Sequence, residues 1–275
     1  MKKTILLAIA AGFTLASQAQ AHDAWLLPST TVLSDTTQWV TVDAGMSTGP
    51  FISNHAAMGV DGIQVQAPDG SKGAIENVAR TRYRTVFDVK TDKPGTWRIG
   101  TDANSVSGTF TVDGERWRVG RGRPGMAGNF VATADEIPAN ATDIELVQTS
   151  SRNEFFVTAG EPTESAFAPA NSGLEMVPVT LPTDLVANEP GQFRFLIDGQ
   201  PAAGLSVTVI PNGQRFHETD HAQELTTDAD GVVTVSWPVA GFYWLNTTAT
   251  DNKPSDARAK ERRMSYTATL EVAAP

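Results

Sequence analysis

The residues of this sequence best suited to chemistry are its four histidines, His22, His55, His217 and His221. His22 follows Lys2-Lys3, an apolar run over residues 5–15 and the small-x-small triplet Ala19-Gln20-Ala21, which together read as a leader peptide cleaved after Ala21. Cleavage would make His22 the first residue of the mature chain. There its α-amino nitrogen and imidazole Nδ1 can bind one metal together, closing a chelate ring that no internal histidine makes. The α-amino group ordinarily titrates near ~7.7–8.0, so a transition metal displaces its proton at little cost at neutral pH. Such nitrogen donors suit Ni(II), Cu(II) and Zn(II).

Two nitrogens leave a metal short of donors, and the other three histidines are the candidates to complete the site. His55 ends Phe51-Ile52-Ser53-Asn54-His55, a polar insertion between two predicted strands. Loops of a β-sandwich gather at the ends of its sheets, where the N-terminus also emerges, so His55 is the favoured third donor. His217 and His221 flank two acids in Phe216-His217-Glu218-Thr219-Asp220-His221. On a helix that spacing would align both imidazoles, but the stretch reads as a long hairpin loop. A solvated polar loop competes there with a metal site.

Other chemistries lack their motifs. Asp228-Ala229-Asp230-Gly231 opens like a calcium loop but has no third acid or distal glutamate, so a β-turn is expected. Gly120-Arg121-Gly122-Arg123-Pro124-Gly125 has neither the Lys-Ser/Thr ending nor the following helix of a phosphate cradle, and reads as a linker. With no cysteine, disulfides, thiolate metal sites and thiol nucleophiles are excluded. The 31 acids outnumber the 21 Lys and Arg, and loss of Lys2 and Lys3 would take the formal charge from −10 to about −12. Nucleic acid and anionic lipid, which need a basic face, are poor partners for such a chain. The apolar run of the leader is too short to span a bilayer.

Strands must position these residues. Alternating or β-branched runs occur at 39–42, 63–66, 83–89, 96–99, 109–112 and 116–119, separated by Pro68-Asp69-Gly70, Lys93-Pro94-Gly95 and the two-residue link Asp113-Gly114. A second series begins near Leu174 and continues at 193–197, 205–210, 232–237, 242–247 and 266–272. Strand-like stretches at 144–147 and 155–157 lie between the two series. The expected fold is all-β: a leader over 1–21, an N-terminal β-sandwich module with its linker over 22–165, and an Ig-like β-sandwich module over 172–275, in tandem. Trp97, Trp237 and Trp244 belong to the cores, and Trp25 is placed to pin the mature N-terminus to a sheet.

His22-Asp23-Ala24-Trp25-Leu26-Leu27-Pro28-Ser29, the stretch Gly173-Leu174-Glu175-Met176-Val177-Pro178-Val179 and the series from Thr227-Asp228-Ala229-Asp230-Gly231 to Ala240-Gly241-Phe242-Tyr243-Trp244-Leu245 resemble a bacterial secreted family of unassigned function. That family is often labelled a nickel uptake substrate-specific region or a metal-transport accessory. The similarity covers essentially the whole mature chain, including residues 262–272. It implies two β-sandwich modules and metal uptake across the envelope, with His22 carried over first, His55 next, and His217 and His221 as features of this chain. The N-terminal histidine is also similar to that of periplasmic copper-resistance carriers and copper-dependent polysaccharide monooxygenases. A monooxygenase would further need a second histidine in a T-shaped arrangement and a flat aromatic face.

The expected function is therefore a periplasmic, non-enzymatic metal carrier or uptake accessory, with a metal ion and an envelope uptake protein as partners. A purely structural envelope interaction module is the alternative, and a copper-dependent oxidative enzyme a third.

Overall fold

A computed structural model describes residues 23–120 and 127–275; the leader, His22 and most of the Gly-Arg stretch lie outside the described residues. The first half carries β1 (Asp23–Pro28), β2 (Val32–Leu33), β3 (Gln38–Ser47), β4 (Ala56–Ala57), β5 (Ile63–Gln66), β6 (Glu76–Arg80), β7 (Arg84–Thr91), β8 (Gly95–Val112), β9 (Glu115–Val119), β10 (Asn129–Val131) and β11 (Thr142–Ala159). The second carries β12 (Leu174–Pro178), β13 (Gly191–Ile197), β14 (Gln200–Pro201), β15 (Ser206–Pro211), β16 (Gln223–Thr226), β17 (Val232–Val235), β18 (Gly241–Asp251) and β19 (Ala259–Val272). Three single 3-10 turns are the other regular elements among the described residues. The fold is all-β with sandwich-like sheets.

The strands form three sheets. One runs β1-β3-β7-β6, with β4 also on β3; a second runs β12-β13-β14, with β17 on β13; the third, central sheet runs β10-β9-β8-β11-β19-β18-β15-β16 and also holds β2 and β5. Parallel pairing of β11 with β19, from Leu146↔Ala259 to Glu154↔Ala268, carries the central sheet through both halves of the chain. Phe155, Val157 and Ala159 of β11 point into a core with Leu26, Val40, Phe87, Trp97 and Ile99. Phe156 points the other way, into a core with Phe193, Phe195, Trp237, Tyr243 and Tyr266. A strand covered on both faces loses its polar alternation, and residues 152–159 are accordingly all buried. Each such apolar side chain contributes about 1.5–3 kcal/mol.

Two sequence expectations change. The runs at 96–99 and 109–112 are the ends of one strand of 18 residues, and those at 144–147 and 155–157 lie on another. Polar residues in the middle of these strands look like loop, yet they pair along nearly their whole length from Thr142↔Thr111 to Ala159↔Gly95. Part of the reason is electrostatic. On β11, buried Arg152 donates to Asp102 at 3.0 Å, Glu175 at 3.1 Å and the Ser172 carbonyl at 3.1 Å. Buried Glu154 accepts from Arg98 and from the Tyr266 hydroxyl, both at 2.6 Å. Burial, and next the Glu154 charge, push the Tyr266 phenol well above its ordinary range. These groups tie β8, β11, β12 and β19 together where the halves meet.

The turns follow the sequence more closely. Asp113 and Gly114 both take left-handed φ, 52° and 81°, the geometry that closes the two-residue β8–β9 hairpin. Asp228 Oδ1 accepts from the backbone N–H groups of Asp230 and Val232, which makes that stretch a side-chain-capped turn.

Candidate metal and ligand site

The first described residue, Asp23, sits opposite Ser47 across the antiparallel β1–β3 ladder. One rung further in, Met46 lies between Ala24 on β1 and Ala56 on β4. Ala24 and Ala56 are thus two strand spacings, about 10 Å, apart across the sheet. His55 immediately precedes Ala56, and His22 precedes Asp23. The sheet therefore carries the chain positions next to both histidines to the same end of β3, on opposite sides of it.

Trp25 fixes this end of the sheet. Its indole is 1% exposed and donates from Nε1 to Ser47 Oγ at 2.7 Å, and that hydroxyl donates on to the Gly49 carbonyl at 2.6 Å. Gly45, facing Trp25 across the ladder, has no room for a Cβ, which would lie 2.6 Å from the indole. Trp25 also meets Phe51 edge-on at 6.0 Å and packs with Ile210 and Trp244 of the second half. The outer edge of β1 is closed by side chains: Thr269 Oγ1 donates to the Leu26 carbonyl at 2.6 Å and Trp244 Nε1 to the Ala24 carbonyl at 3.3 Å. An edge strand that would otherwise offer free carbonyls is held in one register.

The loop over 48–55 is closed on itself by Asn54, whose amide donates to Thr48 Oγ1 at 2.8 Å and accepts from the Thr48 N–H at 3.3 Å. The loop over 212–222 joins the antiparallel strands β15 and β16, as a hairpin loop should. Ala222 of this loop packs against the Trp25 cluster, and Gln214 reaches Gly49. His217 and His221 stand with ring centroids 5.0 Å apart at 82°. Two imidazoles sharing a tetrahedral ion, with metal–nitrogen distances of about 2.0–2.1 Å, would have a similar spacing. Among the described residues, no three His, Asp or Glu side chains are grouped to hold a metal ion. Any tighter site must recruit His22, which lies outside the described residues.

A cleft of about 650 Å³ opens between the two loops. Arg84 at the start of β7 and Arg215 line it together with Phe51, Phe216 and Phe242. Sequence reading missed both arginines. Their signal was weak, since Arg84 ends an alternating Arg80-Thr81-Arg82-Tyr83-Arg84 run and Arg215 sits in a polar loop. Beside the cleft, burial raises the Asp43 carboxyl above its ordinary range, and the Arg84 charge at 3.4 Å opposes the shift.

The family model described as a domain of unknown function, DUF4198, matches residues 19–251. The sequence matches no curated protein. Among solved structures, the D0-D1 domain of intimin is 13% identical with a TM-score of 0.21, covering 90% of this chain and 97% of that one. The human OSCAR ligand-binding domain is 11% identical with a TM-score of 0.20, covering 92% and 100%. A DUF4785 family protein from Legionella pneumophila is 9% identical with a TM-score of 0.24, covering 81% and 50%.

Proposed function

This chain belongs to the DUF4198 family, and we propose that it is a periplasmic carrier or uptake accessory for a divalent transition metal, Ni(II), Cu(II) or Zn(II). The α-amine and imidazole of His22, exposed by leader cleavage, form the chelate, and His55 supplies a third donor. The observation that supports this most is the Ala24–Met46–Ala56 rung, which carries the neighbours of His22 and His55 to the same end of β3, two strand spacings apart. Trp25, locked to Ser47, gives that end of the sheet the rigidity a preorganised chelate needs. His217 and His221 serve as a second, exposed donor pair on the neighbouring loop. The activity is capture and hand-off to an envelope uptake protein, with no bond-making chemistry. Among the described residues no helix is long and apolar enough to cross a membrane.

Calorimetric titration of the three metals into mature protein, beside the His22→Ala and His55→Ala variants, tests this reading. One-to-one binding lost in His22→Ala and weakened in His55→Ala supports it; binding unchanged in His22→Ala removes it. A second reading, an interaction module, draws on the exposed Trp39 and Val78 of the five-stranded sheet and on Tyr83 in the turn between β6 and β7. Absence of metal binding in the same titration would favour it.

A further inference from the structure

The cleft between the five-stranded sheet and the 212–222 loop is opposite in charge to the chain as a whole. The chain carries 31 acids and a formal charge of −10, yet no acidic side chain lines the cleft, while two arginines do. They come from different walls, Arg84 from β7 and Arg215 from the turn after β15. Arg84 approaches Asp43 through one nitrogen, at 3.4–3.5 Å, which leaves its other N–H groups available. Arg215 forms no ion pair among the described residues; its guanidinium lies over the Phe216 ring at 4.6 Å. A guanidinium over an aromatic ring can still offer its N–H groups to a carboxylate.

The apolar part of the cleft is equally unusual. Phe216 and Val239 are 74% and 57% exposed, and both line it. Large exposed apolar side chains beside unpaired donors mark surface reserved for a ligand. The walls are firm: Phe51 is fixed against Trp25, the Asn212 N–H donates to the Phe242 carbonyl at 2.7 Å, and the Tyr243 hydroxyl donates to the Val239 carbonyl at 2.7 Å. The volume lies within the roughly 300–1,000 Å³ of small-ligand sites.

From these observations we propose that the cleft binds a small organic dicarboxylate with an apolar body, one carboxylate taken by Arg84 and the other by Arg215, the body resting on Phe51 and Phe216. This site does not depend on the metal reading, and either can fail without the other.

The test is calorimetric titration of benzylsuccinate, which joins two carboxylates to an aromatic ring, into mature protein in a buffer containing EDTA. Saturable one-to-one binding is expected, weakened by about tenfold or more in Arg215→Gln and in Arg84→Gln, with the neutral diamide failing to bind. Arg116→Gln, on β9 and outside the cleft, should bind as the parent does. Arg215 lies on a partly exposed turn with no ion pair to lose, so that variant reports on the ligand even if Arg84→Gln folds poorly. No saturable binding up to millimolar benzylsuccinate, or equal binding by Arg215→Gln, would overturn the proposal.

Discussion

Trp25 Nε1 and Ser47 Oγ meet at 2.7 Å in the interior, joining β1 to the end of β3, the strand that leads into the His55 loop. One hydrogen bond therefore couples the start of β1 to the loop that carries His55, the third donor we propose.

Loss of the indole should be costly. Trp25→Ala empties a site that is 1% exposed and should destabilise the protein by about 3–5 kcal/mol. Ser47→Ala keeps the volume but strands the indole N–H and the Gly49 carbonyl, for about 1–3 kcal/mol. Urea unfolding followed by tryptophan fluorescence gives both values, and near-equal midpoints for Ser47→Ala and the parent would remove the bond from the account.

Arg152 and Glu175 each expose 5% of the side chain and lie 3.1 Å apart. Arg152→Met leaves a buried carboxylate uncompensated and should cost about 3–5 kcal/mol. Adding Glu175→Leu should recover a good part of the loss, because the stranded charge goes with it. A double-mutant cycle reads this directly; additive losses would show that the pair is not coupled.

Acid should weaken the protein through Arg262. Its hydrogen bonds to Asp198 and Asp251, at 2.6–3.1 Å, hold both carboxyls below the ordinary range. Because these groups are more acidic folded than unfolded, their stabilisation is present above the unfolded value of about 3.9 and is lost as pH falls through the lower folded values. Thermal midpoints recorded downward from pH 6 should therefore fall below about pH 4, and fall less steeply in Arg262→Gln. Parallel curves for the two proteins would contradict this.

Gly100→Ala should open the β8–β11 seam. A Cβ there meets the Asn153 carbonyl and lies 2.5 Å from Glu154 Cβ, against backbone that cannot move aside. A loss of about 1–3 kcal/mol or more is expected. Hydrogen exchange should rise first along residues 98–102, and unchanged protection would show that the sheet absorbs the methyl.

Much of the sheet structure was legible because half-buried strands alternate: residues 63–66 read as a strand and form β5 with burial in every second position. Asp113-Gly114 and the buried tryptophans were legible for equally local reasons. The interior of β11 was not. Arg152-Asn153-Glu154 looks like loop until Arg98 and Asp102 of β8, Glu175 of β12 and Tyr266 of β19 arrive from three other strands to pair with it. Nor could sequence show the parallel β11–β19 pairing, since a ladder between strands a hundred residues apart leaves no local pattern. For the candidate site, the types of His22, His55, His217 and His221 were readable. The rung bringing the neighbours of the first two to the same end of β3 was not, and the two arginines of the cleft become a pair only when β7 and the 212–222 loop face each other.

The most direct test of the central claim adds one alanine in front of His22 in the mature protein, after mass spectrometry has confirmed where each protein begins. The extension keeps every side chain and removes only the free α-amine from the histidine. Calorimetry with Cu(II), Ni(II) and Zn(II) should show tight one-to-one binding by the protein that starts at His22 and its loss in the extended protein. Equal affinity in the two would contradict a chelate built on the N-terminal histidine.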